Sequence, residues 1–157
     1  MVIFLARVVA GYRAASEICN EHLLEGIIRE DAPTRLLPPY SVGIDGVPPH
    51  HAFFADSTAT ELLAELKLLS PNRDPIQTSV DMAVSSGLGR TLNEAVALAN
   101  DLRSTNIEPL HLLAAIIHCD ADICERLNRH GVRLDVVLAA IRSSGQQPEV
   151  SGTVGNY

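Results

Sequence analysis

The chain has 157 residues, 46% of them hydrophobic and 20% charged, which is the composition of a folded domain and excludes disorder as its main state. Its 12 Lys and Arg against 19 Asp and Glu give a net charge of −7, which argues against a nucleic-acid-binding surface. Arg7, Arg13 and Glu17 interrupt the apolar N-terminal stretch, so no run approaches the roughly 20 residues that span a membrane.

The apolar segment at residues 1–6 is not read as a signal peptide. No positive residue precedes it, and no small-residue cleavage site follows it. A cytoplasmic location is therefore expected. Three cysteines are an odd number in a domain that needs no disulfide to hold its core, so Cys19, Cys119 and Cys124 are expected to be reduced thiols.

Helical periodicity dominates the chain, and no comparable stretch alternates with the period of a strand, so the sequence predicts an all-α fold. Ser85 or Ser86 is expected to cap the helix whose apolar stripe begins at Leu88, and a short helix is expected over residues 58–69. The apolar stripes are Leu23, Leu24, Ile27 and Ile28; Leu88, Leu92, Ala95, Val96, Ala99 and Leu102; Leu112, Leu113, Ile116 and Ile117; and Leu134, Val137, Leu138 and Ile141.

Two segments are predicted to be irregular. Four prolines and two glycines exclude a regular helix over residues 38–49. Residues 144–157 are rich in Gly, Ser, Gln and Pro and have little to bury, which predicts a flexible tail.

An internal repeat is the most informative feature of the sequence. At an offset of 89, residues 6–31 meet residues 95–120 with nine identities, where average composition gives about two. Most matched residues belong to the apolar stripes, which indicates two copies of one helical unit that share a core. The identical pairs are Ala6/Ala95, Ala10/Ala99, Ile18/Ile107, His22/His111, Leu23/Leu112, Leu24/Leu113, Ile27/Ile116, Ile28/Ile117 and Asp31/Asp120.

The repeated segments resemble a known family. Glu21-His22-Leu23-Leu24 is similar to the Glu-His-Leu-Leu signature of the Clp N-terminal domain, the repeat found twice at the front of Clp unfoldases, and the second copy reads Leu110-His111-Leu112-Leu113. The segments 4–7 and 78–85 are similar to bacterial two-repeat members. The resemblance covers about residues 3–31 and 76–143. The chain is either a free-standing two-repeat member or an excised fragment, and its polar tail favours the free-standing member as the expectation.

The resemblance implies a pseudo-twofold bundle of about eight helices. Its expected divisions are a first repeat with a Pro-rich insert (1–75), a second repeat (76–143) and the tail (144–157). The implied function is protein binding: recognition of substrates or adaptors for a Clp unfoldase or protease, without cofactor, nucleic acid or membrane. The alternative is a structural accessory that docks on a Clp ring and modulates its assembly.

An enzyme is a remote alternative. The chain has no phosphate-binding loop for an ATPase and no nucleophile elbow or patterned catalytic trio, so a His/Cys-dependent activity is not expected. Cys119 and Cys124 are five residues apart, which on a helix turns them away from a shared face, so no metal site is expected and buried thiols are the better interpretation.

The resemblance also nominates ligand-binding residues. In phosphoarginine-binding members, the Glu before His-Leu-Leu binds the guanidinium and a hydroxyl about 25 residues upstream helps to bind the phosphate. Glu21 matches the first Glu but has no upstream partner, whereas Ser85 matches the second hydroxyl but Leu110 replaces the acid. We therefore expect weak phosphoarginine binding, strengthened by Leu110→Glu if Ser85 lies as the resemblance implies, and recognition through apolar contacts between the halves.

Three groups of residues have further interpretations from the sequence. Glu21 is also explained as a favourable charge in the first turn of a helix capped by Asn20. His22 and His111 are read as structural, because a residue present in both copies serves the shared architecture. The segment His50-His51 with Phe53-Phe54 is either a partner-binding lip or a lid whose phenylalanines fold onto the core.

Overall fold

The structure, a computed structural model, describes residues 1–35, 52–69 and 74–145, and within these ranges it contains seven α-helices and one short 3₁₀-helix. Two-residue strands join the starts of two helices. In chain order the elements are α1 (Val2–Tyr12), β1 (Glu17–Ile18), α2 (Asn20–Glu30), the 3₁₀-helix (Pro33–Arg35), α3 (Asp56–Leu68), β2 (Ala83–Val84), α4 (Ser86–Asp101), α5 (Pro109–Cys119), α6 (Ala121–Arg129) and α7 (Leu134–Gly145).

The all-α prediction is confirmed, with one small addition. β1 and β2 pair in parallel, with Glu17 opposite Ala83 and Ile18 opposite Val84. Two residues are too few to give a period-two pattern, so the sequence contains no signal for this pairing. It places the start of α2 beside the start of α4.

The offset of 89 is visible in the backbone. Adding 89 to the first and last residue numbers of α2 gives those of α5, and the turns that end α1 and α4 are separated by the same offset. Ala14 and Arg103 have φ values of 52° and 56°. In each turn the next amide donates to a carbonyl five residues back, Ala15 to Ala10 and Ser104 to Ala99, both at 2.9 Å. This is the Schellman arrangement, used twice.

Both copies contribute to one core, as the sequence predicts. Leu24 and Leu113 are completely buried in the same apolar cluster, and α2 packs against both α1 and α5. The approach of α1 to α2 is close at Gly26, where a Cβ atom would lie 2.9 Å from the Val2 carbonyl oxygen. The equivalent position in the second copy is Ala115, so the second helix pair accommodates a methyl group there.

Helix boundaries agree with the sequence in some places and differ in others. Ser85 caps α4 by accepting a hydrogen bond from the Leu88 amide (3.0 Å), as predicted. α3 begins two residues before the expected 58, and α7 continues to Gly145, past the expected start of the tail. α6, whose cap is the Asp120 side chain, was not predicted from the sequence. The predicted irregular segment 38–49 and residues 146–157 lie outside the described residues.

The two phenylalanines fold onto the core, which supports the lid interpretation. Phe54 is buried, and the amides of Phe53 and Phe54 donate to the two oxygens of Asp31 at 2.8 and 2.9 Å. The two rings meet edge to face with centroids 5.1 Å apart. His50 and His51 lie outside the described residues. Among the described residues, no helix is both long and apolar enough to cross a membrane.

Candidate functional site

The start of α2 forms one wall of a cleft that contains Glu21. We call this cavity of about 470 Å³ the α2 cleft. Its polar lining comes from the end of α1, from β1 and from the start and first two turns of α2, and leucines around the end of α3 also line it. The residues concerned are Arg13, Glu17, Cys19, Glu21, His22, Glu25, Leu66 and Leu69.

The β1–β2 pairing brings Ser85 to this helix start. The Ser85 amide donates to the Ile18 carbonyl at 3.0 Å, and the Ser85 side chain is close enough to the Cys19 thiol to act on its pKa. The Glu21 carboxylate lies within 4.8 Å of the Cys19 sulfur. The two residues that the sequence analysis assigned to separate half-sites therefore both neighbour Cys19.

Position 110 is at the other end of α5 from Ser85. The C-terminal end of α5 lies against the middle of α4, where His118 and Glu94 approach to 3.9 Å. Leu110, in the first turn of the same helix, is partly buried against the core. The expectation that Ser85 and position 110 form one pocket rested on the family resemblance, whereas the antiparallel packing of α4 and α5 places the two positions at opposite ends of α5. A ligand-binding role for Glu21 and Ser85 stays a prediction.

His22 and His111 have the same structural role in the two copies, as predicted. His22 Nδ1 accepts the Cys19 amide proton and His111 Nδ1 accepts the Glu108 amide proton, both at 2.8 Å. Each histidine thereby satisfies an amide at the start of its helix. The N-cap residue of α2 is thus Cys19, one residue before the expected Asn20, and His22 completes the cap. The Asn20 side chain instead donates a hydrogen bond to Asp120 (3.1 Å).

The same hydrogen bond disfavours a metal at the α2 cleft. Within the described residues, Cys19, Glu21 and His22 are the one group whose ligand atoms lie close enough to hold an ion. Because His22 Nδ1 accepts a proton, the neutral ring carries its own proton on Nε2 and has no lone pair there for a metal. Burial and the charge of Glu21 also raise the pKa of the Cys19 thiol. The absence of a metal stays our prediction.

A buried carboxylate that was not among the residues nominated from the sequence lies beneath this cleft. Glu25 is 2% exposed, and its two oxygens accept hydrogen bonds from Arg13 (2.6 Å) and Arg29 (2.8 Å). The spacing of Glu25 and Arg29 is a recognisable helical pair. Arg13 gives no such signal, because it belongs to the end of α1 and reaches α2 only in the folded chain.

The cysteines differ in exposure. Cys119 is exposed, which corrects the expectation of two buried thiols, and Cys124 is half-buried. Cys119 is the last residue of α5, and its thiol lies outside the apolar stripe. All three cysteines are free, in agreement with the expected reduced thiols.

A second cavity lies between the two halves and is largely apolar. We call this cavity of about 430 Å³ the interhalf groove. Ile3, Val96 and Ile107 leave close to half of their surface exposed along it, and Met1 leaves 67%. The groove is lined by Met1, Val2 and Ile3 from α1, Glu30 from α2, Leu92 and Val96 from α4, and Ile107, Glu108, Pro109 and Leu112 around the start of α5. Exposed apolar surface of this kind is typical of protein-binding sites.

Two solved structures share this fold. A chain from structural investigations of a malarial protein secretion system matches with a TM-score of 0.68 and 15% identity, over 95% of this chain and 92% of that one. The N-terminal domain of the caseinolytic protease associated chaperone ClpD from Arabidopsis thaliana matches with a TM-score of 0.60 and 18% identity, over 92% of both chains. No protein-family model and no curated protein sequence matches the chain. The fold is therefore of the Clp N-terminal type.

Proposed function

We propose, from this Clp N-terminal-type fold, that the chain is a protein-binding module that recognises substrates or adaptors for a Clp unfoldase or protease. The proposal includes no catalytic step, no cofactor and no contact with nucleic acid or membrane, and it assigns the chain to the cytoplasm.

The observation that carries the proposal is the interhalf groove. Ile3, Val96 and Ile107 expose apolar surface along a concave site to which both halves contribute. Burying such side chains against a partner contributes roughly 25 cal/mol per Å² of apolar area. An extended segment of another polypeptide fits a groove of this composition.

Binding to an unfolded protein tests the proposal. We expect fluorescently labelled, reduced and carboxymethylated casein to bind the wild type, and Val96→Asp to lose most of that binding because a carboxylate in the groove must be desolvated. Ala97→Asp is the matched control, since Ala97 is an exposed residue of the same helix that does not line the groove.

The outcomes separate the two functions. Equal binding by Val96→Asp and the wild type would contradict recognition at the groove. If the chain binds an assembled Clp ring in fixed stoichiometry but not unfolded protein, the accessory role replaces the receptor role.

A further inference from the structure

We propose that the interhalf groove selects segments in which an apolar side chain is followed closely by a lysine or arginine. This inference rests on the proposed function and specifies its ligand. The reason is the pair of carboxylates, Glu30 and Glu108, among the otherwise apolar residues of the groove.

The charges that line the groove have an excess of negative sign. Glu30 and Glu108 are its ionisable side chains among the described residues. Burial raises the pKa of Glu30 most, and the neighbouring Glu108 carboxylate raises it further. The α-amino group of Met1 lowers the pKa of Glu30. No lysine, arginine or histidine side chain lines this cavity in the described part of the chain, so two carboxylates face one amino group.

One carboxylate oxygen of Glu30 lacks a hydrogen-bond partner. Oε2 is buried and accepts no hydrogen bond from the described residues, although the carboxylate accepts a hydrogen bond from the Val2 backbone amide. A buried acceptor without a donor is costly. Glu30 as a whole is half-buried, so a cation bound beside its side chain would offset part of that cost by stabilising the charged carboxylate. Burial is the main cause of the raised pKa of Glu30, and a bound cation would lower it again.

The position of Glu30 in α2 strengthens the attraction for a cation. Glu30 is the last residue of that helix, where the unpaired carbonyl groups give a partial negative charge. The net charge of −7 adds a long-range attraction for a basic segment. Apolar walls with negative charge beside them therefore fit an apolar side chain next to a basic one.

Matched peptides test the selection directly on the wild type. The probe is a labelled peptide with the core Leu-Leu-Lys, compared with two peptides in which norleucine or glutamate replaces the lysine. We expect the lysine peptide to bind roughly tenfold more tightly than the norleucine peptide, since charge-assisted hydrogen bonds are strong. Raising the ionic strength from about 0.05 to about 0.3 M should reduce that advantage, because the charges are partly exposed.

Variants assign the effect to these carboxylates. Glu30→Gln with Glu108→Gln should abolish the preference for the lysine peptide over the norleucine peptide. Glu125→Gln removes one exposed carboxylate of α6, outside the groove, and is the control. Thermal melting of each variant verifies folding, and the wild-type peptide series stands even if the double variant is unstable.

Failure of this inference is distinct from failure of the proposed function. Equal binding of the lysine, norleucine and glutamate peptides would overturn the charge selection and leave apolar recognition intact. If none of the three binds, the groove is not a peptide site, and both fail.

Discussion

His22 and His111 show how a single residue type can specify a helix start. Because Nδ1 accepts a backbone amide proton, each ring must keep a proton on Nε2 and remain neutral to be satisfied. His111 donates that proton to the Ser104 hydroxyl (3.0 Å). The equivalent of Ser104 in the first copy is Ala15, so His22 has no matching hydroxyl and lines the α2 cleft.

The stability of the protein should decrease on mild acidification because of these two histidines. Burial lowers the pKa of both from the ordinary value of 6.5. The unfolded chain therefore binds protons first, so the stabilisation is complete above about pH 6.5 and is lost as the pH falls through the folded-state pKa. Urea unfolding between about pH 7 and pH 5 should give a flatter pH dependence for His22→Gln with His111→Gln than for the wild type. His118→Gln, at an exposed position, is the control; an unaltered slope in the double variant would contradict the prediction.

Leu24 and Leu113 should be equally sensitive to truncation. Both are completely buried at equivalent positions, so Leu24→Ala and Leu113→Ala should each lower the free energy of unfolding by roughly 2–5 kcal/mol. Leu68→Ala is the control, because Leu68 is 86% exposed and should change stability by less than about 0.5 kcal/mol. A loss of under half a kcal/mol at either buried leucine, measured by denaturation, would be inconsistent with the shared core.

The turns that end α1 and α4 are strained elements. Ala14 and Arg103 have the left-handed backbone conformation that favours glycine, and it costs other L-residues about 1–2 kcal/mol. Each residue is held there by a Schellman hydrogen bond. The sequence did not reveal these turns, because the usual signal for them is a glycine and neither copy has one at this position.

Glycine at these two turns should stabilise the protein. The strain energy that glycine relieves in the folded state is larger than the free-energy cost of the conformational entropy it adds to the unfolded chain. Ala14→Gly and Arg103→Gly should therefore each raise the free energy of unfolding by about 0.5–1 kcal/mol. Ala97→Gly, in the exposed middle of α4, should lower it by a similar amount. Thermal melting would contradict the account if all three substitutions destabilise alike.

Helix existence was predictable from the sequence, whereas contacts between elements were not. The stripes of α2, α4, α5 and α7 have a period that any amphipathic helix shows. α6 is only nine residues long, and the β1–β2 pairing involves two residues on each side, so neither gives a clear pattern. The repeat identified the shared core because its identities are mostly apolar positions of the helices that meet there.

At the scale of the molecule, the candidate site was only partly predictable. The resemblance nominated Glu21 and Ser85, but spacing along the chain does not contain the strand pairing that brings both next to Cys19. The interhalf groove needed the fold as well, since it combines the first residues of α1 with the start of α5. Glu30 gave no signal, because a charged residue at a helix end is ordinarily exposed.

Phosphoarginine should bind weakly. The phosphate would meet the carboxylates of Glu17 and Glu21, and Arg13 is already paired with Glu25. Calorimetric titration should therefore give a dissociation constant weaker than about 1 mM. Tight binding that Glu21→Ala abolishes would show that the α2 cleft is a phosphoarginine site after all.

The structure changes the expected effect of Leu110→Glu on phosphoarginine affinity. The expected gain depended on Ser85 lying near position 110, but the structure places Ser85 beside Cys19. We therefore expect no gain in phosphoarginine affinity from this substitution, measured in the same titration. A clear gain would indicate a site at the start of α5.

The pairing of β1 with β2 also affects how the protein folds. It closes a loop from position 17 to position 83, whereas short turns join α1 to α2 and α4 to α5. Closing a long loop has a higher entropic cost than forming a local helical hairpin, so contacts of high sequence separation form slowly. We therefore expect the two hairpins to form before they dock. A folding intermediate with undocked hairpins would already have His22 and His111 as caps, but Ser85 would not yet lie beside Cys19.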